Sequence, residues 1–168
     1  LAKVVDYHIP VGKSLALILK EKLGVTADDI LPVGVNDKVF YFEPSNKIYD
    51  FIYVGSLVHR KGVDILINAI KDLPLDLKFC IVGQGELVED VKSLAKSHDN
   101  VTFFQGLTQS ELQKLISKSK FSVLPTRNEG FPTSTIESMY CGVPIIVSDI
   151  PQTLEQVNDS INGFVTPC

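Results

Sequence analysis

The chain has 168 residues, 45% of them hydrophobic and 21% charged, which is enough apolar material for one folded domain with a sound core. A net charge of −4 with no Lys/Arg block argues against a general nucleic-acid binder, whose affinity rests on basic patches. No apolar run approaches membrane-spanning length and no signal-peptide pattern is visible.

The first 45 residues break the pattern of the rest. Residues 11–23 have helical spacing and 30–35 read as a strand, with Pro32, Gly34 and Pro44 as interruptions. The chain begins with Leu1 rather than Met and is expected to be a fragment of a longer protein; the broken pattern of residues 1–45 reads as a lead-in from a preceding domain, with the main domain over 46–168 and its C-terminal end expected to be truncated. Short apolar runs at 50–54, 77–82, 101–104, 121–124, 144–147 and 163–166 then read as strands. Most are nearly continuously apolar, which suits a parallel sheet buried on both faces.

Amphipathic stretches fill the gaps. Residues 63–73 place Ile65, Leu66, Ala69 and Ile70 on one helical face, and 87–96 group Val88, Val91, Leu94 and Ala95. Residues 110–117 follow a Thr108-x-x-Glu111 capping box, 133–141 are closed by Gly142, and 150–157 carry Pro151 in a first turn. The alternation predicts an α/β fold with a doubly wound parallel sheet. Ligands of such sheets bind beyond the carboxyl ends of the strands, so loops 55–62, 83–86 and 126–133 should meet at the site.

Loop 126–133 is the most informative of the three. Glu129 lies where a strand has just ended, and Glu137, eight residues on, lies inside the following helix. Gly130, Phe131, Pro132, Thr133 and Ser134 lead into that helix, whose free N–H groups and dipole attract anions. Two carboxylates so placed suit the two hydroxyl-bearing ends of a phosphate-linked ligand. Read plainly, Ser134-x-x-Glu137 is a capping box and Glu129 a solvated loop charge. Arg60 and Lys61, beside another helix start, form a diphosphate grip or, read plainly, a solvated basic pair.

Gly83-Gln84-Gly85 fails the dinucleotide fingerprint because Val88 stands where a third Gly or Ala belongs, so Gly83 is at most part of a cleft wall. Leu107 is placed to touch a base edge, while Phe103, Phe104 and Phe121 read as core. Cys80, Cys141 and Cys168 are far apart and lack ligand spacing, and the first two sit in apolar runs. They fit a reducing, cytoplasmic setting. His8, His59 and His98 show no paired spacing, so no metal site is expected.

In order, Gly55-Ser-Leu…Arg60-Lys61-Gly62-Val-Asp, Val82-Gly-Gln-Gly85, Asn100-Val-Thr-Phe-Phe-Gln-Gly106, Glu129-Gly-Phe-Pro…Glu137-Ser-Met…Cys141-Gly-Val-Pro144 and Asn162-Gly-Phe form a specific set. The set resembles the retaining GT-B glycosyltransferases of group 1, glycosyltransferase family 4. Ile30-Leu-Pro-Val-Gly-Val-Asn…Phe40 extends the likeness, which runs from about residue 25 to the end.

The resemblance implies two Rossmann-like domains around a cleft, with this chain as the C-terminal, donor-binding half and an N-terminal acceptor domain missing. Glu129 and Glu137 match the family's E-x7-E motif. By that match Glu129 is catalytic, holding hydroxyls of the transferred sugar near the reacting carbon. Glu137 would bind the ribose, with Leu107 and Gly83 beside the nucleoside. Arg60, Lys61 and the segment from Gly130 to Ser134 would hold the donor sugar and diphosphate. Many members carry Arg directly after the first Gly of the phosphate loop, where this chain has Ser56, and Arg60 with Lys61 are read as supplying that charge.

No metal and no cofactor are implied. The co-substrate is a nucleoside-diphosphate sugar, with a UDP-sugar ranked first, and the enzyme is of hexosyltransferase type. The acceptor is a glycan or lipid-linked precursor of polysaccharide biosynthesis. The location is cytoplasmic, with at most peripheral contact at the inner membrane face. The fragment alone is expected to bind nucleotide weakly and to transfer no sugar. Rival readings are a non-catalytic nucleotide-binding module and a dinucleotide-dependent oxidoreductase domain.

Overall fold

Six strands and six α-helices alternate along the chain in a computed structural model that describes residues 4–167. After α1 (Lys13–Leu23) come β1 (Tyr49–Val54), a 3-10 turn (His59–Lys61), α2 (Val63–Asp72), β2 (Phe79–Val82), α3 (Val88–Ser97) and β3 (Val101–Phe104). The second half adds α4 (Gln109–Ser117), β4 (Ser119–Leu124), α5 (Thr133–Tyr140), β5 (Ile145–Ser148), α6 (Pro151–Leu154) and β6 (Gly163–Thr166). The strands form one parallel sheet in the order β3-β2-β1-β4-β5-β6. This is the Rossmann-like arrangement, in which the strand order reverses between β1 and β4 and opens a crevice at their carboxyl ends.

The two-residue side-chain period of the strands feeds two cores. Tyr53, Phe79 and Ile81 face a cluster with Val63, Leu66 and Ile70 of α2 and Val91 and Leu94 of α3. Their neighbours Ile52, Cys80 and Val82 face the opposite side and pack with Ile116 of α4, Cys141 and Val143. Each fully buried Ile, Leu or Phe here contributes roughly 1.5–3 kcal/mol, which is why the sheet cannot slip register. Burial pushes the thiols of Cys80 and Cys141 up to about 12 and about 11, leaving them neutral core groups. Cys168 lies outside the described residues.

Local chemistry sets the element ends. Thr108 and Glu111 form the expected capping box on α4, with Thr108 Oγ1 accepting from the Glu111 N–H and Glu111 accepting from the Thr108 N–H at 2.8 Å. Gly142 adopts the left-handed φ of 71° that stops α5. Three expectations fail. Residues 30–35 form no strand: the Leu31 N–H donates to the Pro10 carbonyl and not to a neighbouring strand, and Pro32 has no N–H to offer a ladder. The helix expected over 150–157 is the single turn α6, where Thr153 Oγ1 donates to the Ser148 and Ile150 carbonyls. Ser134 and Glu137 form no capping box, because α5 starts at Thr133 with Pro132 at its cap, two residues too early for Glu137 to stand at the third helical position.

The lead-in is tied to the sheet at two places. Phe40 is fully buried in the second core, and Ser45 and Lys47 both donate to the Ser117 carbonyl. At the other end, Glu155 serves as the amino-terminal cap of α1, accepting from the N–H groups of Lys13 and Ser14 at 2.6 Å each and from the Ser14 hydroxyl.

Candidate nucleotide-sugar site

The β1 and β4 loops meet across the crevice, and glycine makes the meeting possible. Gly62 ends the 3-10 turn at φ 70°, and a Cβ there would lie 1.7 Å from the Pro125 carbonyl oxygen. Only a residue without a side chain permits that crossing. Gly83 is equally confined: its Cβ would lie 2.0 Å from the Gly55 carbonyl oxygen. The loop after β1 is held from below by Tyr53, whose buried hydroxyl donates to the Ser56 carbonyl at 2.8 Å.

At this crossing the structure joins three of the singled-out side chains. Lys61 Nζ lies 2.6 and 2.7 Å from the two oxygens of Glu129, whose side chain is only 4% exposed. Glu129 is therefore no solvated loop charge; it is a buried carboxylate neutralised across the crevice. Arg60 Nη1 lies 3.8 Å from Glu129 and donates to the Asn128 carbonyl at 2.7 Å. With 53% of its side chain exposed against 15% for Lys61, Arg60 is the cation turned to solvent.

Pro132, Thr133 and Ser134 form the cap and first turn of α5, which no side chain caps, so its leading N–H groups are open to an anion. Gly130 and Phe131 approach this turn, and Leu15 of α1 packs beside Gly130. One turn inside, Glu137 is half-buried, and among the described residues no hydrogen bond reaches its carboxylate. Burial raises its proton affinity above the ordinary carboxylate range. Gly83 and Leu107 share a separate cavity of about 300 Å³ with Val54, Gly55 and Ser56 at the carboxyl ends of β1–β3. Among the described residues, no three of His, Cys, Asp and Glu come together as a metal site. None of the described helices is long and apolar enough to cross a membrane.

Sequence reasoning missed Arg127 and Asp64. The Arg127 guanidinium forks onto both Asp64 carboxylate oxygens at 2.8 Å each and donates to the His59 carbonyl at 2.5 Å. That fork, with His59 also nearby, lowers Asp64 to about 2 against some opposing desolvation. The signal was present: Arg127 opens the segment that contains both glutamates, and Asp64 stands two residues past Gly62.

A parallel sheet with its order reversed at β1/β4, an uncapped helix start and paired cations at the reversal define a Rossmann-type α/β domain with a crevice suited to an anion. The glycosyl transferases group 1 family matches residues 37–168, and the chain belongs to that family. An uncharacterized glycosyltransferase of Methanocaldococcus jannaschii is 33% identical over 135 residues, covering 79% of this chain and 37% of its own length. The GtfA subunit of the UDP-N-acetylglucosamine–peptide N-acetylglucosaminyltransferase of Streptococcus pneumoniae is 27% identical over 144 residues, 82% of this chain and 28% of the subunit. The chain thus spans less than half the length of these relatives.

Solved GT-B glycosyltransferases share the fold. The pneumococcal O-GlcNAc transferase GtfA, in complex with UDP and GlcNAc, superposes with a TM-score of 0.80 at 24% identity, over 99% of this chain and 35% of its own. Anabaena HepE, in complex with UDP and glucose, gives 0.83 at 20% identity over 99% of this chain and 50% of its own.

Proposed function

We propose that this chain is the donor-binding domain of a retaining glycosyltransferase of family 4, which moves a sugar from a nucleoside-diphosphate sugar to a glycan or lipid-linked acceptor. A UDP-sugar is the favoured donor, since structural neighbours were solved with UDP and a sugar. The reading divides the chain into a lead-in over 1–45, which would follow an acceptor-binding domain, and a donor domain over 46–168.

The observation that carries the reading is the grouping at the β1/β4 crossing: Arg60 and Lys61 against Glu129, beside the open start of α5. Each residue then has a chemical task. The leading N–H groups of α5 and the exposed guanidinium of Arg60 face the diphosphate and stabilise the charge that grows on it as the sugar–phosphate bond breaks. Glu129 accepts hydrogen bonds from hydroxyls of the transferred sugar, and Lys61 holds that carboxylate in place through contacts to both of its oxygens. Glu137, deeper along α5, takes the ribose hydroxyls, and the cavity with Gly83 and Leu107 takes the base.

Calorimetry with UDP, GDP, ADP and NAD on the protein and on Glu137→Gln tests this. One nucleoside diphosphate should bind, and the substitution should weaken it at least tenfold, about 1.4 kcal/mol. Binding of NAD alone, or an unchanged affinity in Glu137→Gln, would refute the assignment.

A further inference from the structure

Arg127 bonds to the far side of the crevice through its backbone N–H and both terminal nitrogens of its guanidinium. Its backbone N–H donates to the Arg60 carbonyl at 2.9 Å, and its guanidinium donates to the His59 carbonyl and to both oxygens of Asp64. Thr126 Oγ1 adds a further bond to the Arg60 carbonyl at 3.2 Å, and one return contact runs the other way, from Arg60 Nη1 to the Asn128 carbonyl at 2.7 Å. Residues 126–129 and 59–61 are thus laced together rung by rung, and the guanidinium end of the lacing is anchored on Asp64.

Asp64 is a good anchor. It lies in the first turn of α2, where the helix dipole favours a carboxylate. The register of that helix is fixed by the burial of Val63, Leu66 and Ile67 on the sheet. Arg127 in turn sits two residues before Glu129, and the His59 and Arg60 carbonyls it engages border Lys61. A planar fork that satisfies two carboxylate oxygens and a carbonyl has one geometry, unlike an ammonium.

We propose that Asp64 and Arg127 are positioning residues that set the distance between the phosphate-facing cations and Glu129, and so control the grip on the diphosphate part of the donor and not on its nucleoside. This rests on the donor-domain reading. The Arg127 fork is turned onto Asp64 and the His59 carbonyl, so in this proposal it acts through Arg60, Lys61 and Glu129. The contrast with a merely structural role is sharp, because loss of a generic loop contact would weaken nucleoside and diphosphate alike.

The test uses the full chain with Arg127→Leu, Arg127→Lys and Asp64→Asn, and three probes: uridine, UDP and inorganic pyrophosphate. In Arg127→Leu and Asp64→Asn, affinity for UDP and pyrophosphate should fall roughly tenfold while uridine changes less than about twofold. Arg127→Lys should recover only part of the loss, since it cannot fork. An equal loss for uridine and UDP, or no loss at all, overturns the proposal.

A second readout needs no ligand. The carboxyl carbon resonance of Glu129, followed by NMR in free protein, should move in Arg127→Leu as the Lys61 contact loosens, and an unmoved resonance also overturns the proposal. If that resonance moves but the unmodified protein binds neither UDP nor pyrophosphate, the donor-domain reading falls while the strap itself stands.

Discussion

Removing the Lys61 ammonium while keeping its stem, as in Lys61→Met, is the most direct test of the crevice electrostatics. Glu129 would keep its buried position and lose two contacts of 2.6 and 2.7 Å, leaving only Arg60 at 3.8 Å. Orphaning one member of a buried ion pair costs about 3–5 kcal/mol. The residual Arg60 attraction and the partial exposure of Lys61 bring the expectation down to about 2–4 kcal/mol. At roughly 2–4 °C per kcal/mol for a chain of this size, the melting temperature should fall by about 5–15 °C. The double variant Lys61→Met/Glu129→Gln should recover most of that loss, because no buried charge is left unpaired. Urea unfolding followed by circular dichroism measures all four corners of this cycle. A loss below about 1 kcal/mol in Lys61→Met, or a double variant less stable than the single one, would show that Glu129 is not held by Lys61.

Other substitutions probe the same site. Glu137→Gln should leave the melting temperature unchanged or raise it at pH 7, since the native fold disfavours the ionised carboxylate it replaces, while nucleotide affinity falls. Gly62→Ala should cost about 3 kcal/mol or more, because the left-handed φ is strained for Ala and its Cβ meets the Pro125 carbonyl; a thermal melt within 2 °C of the unmodified protein would contradict the crossing geometry. Asp64, held at about 2 when folded and at an ordinary carboxylate value when unfolded, contributes stability that is present above about pH 4 and lost as pH falls toward 2. Because the pair with Arg127 is partly exposed, that contribution should be about 1 kcal/mol, and Asp64→Asn should flatten this segment of the stability–pH curve.

How much of this was legible in the sequence depended on whether the information was local. Strand positions were clear because an apolar run such as 79–82 can only be buried on both faces. The Thr108–Glu111 box was clear because both partners lie within one turn. Residues 30–35 misled because alternating apolar residues look like a strand whether or not a ladder partner exists, and Pro32 withholds the donor a ladder needs. The glutamates and the Arg60-Lys61 pair were found as motifs, but their mutual arrangement was not. Lys61 and Glu129 are 68 residues apart, and their contact exists only because the reversed strand order puts β1 beside β4. The Asp64–Arg127 fork has the same origin: a non-local pair of common residues leaves no periodic trace.

Three carboxylates of the β1 and β4 loops and α5 are held in three different ways. Asp64 is forked by Arg127 and becomes more acidic. Glu129 is buried but matched by Lys61. Both are charges whose desolvation the protein itself offsets. Glu137 is different: it is half-buried, its proton affinity is raised by desolvation, and among the described residues no cation or N–H compensates it. A helix position that needed only packing would be served better by an apolar side chain, because a buried carboxylate without a partner costs stability. A group whose cost the fold leaves standing is a candidate for a partner that arrives from outside, and a pair of vicinal hydroxyls is a partner a carboxylate can bind with both oxygens. The uncompensated Glu137, more than the well-satisfied Glu129, is therefore the carboxylate on which the proposed ribose contact is best tested.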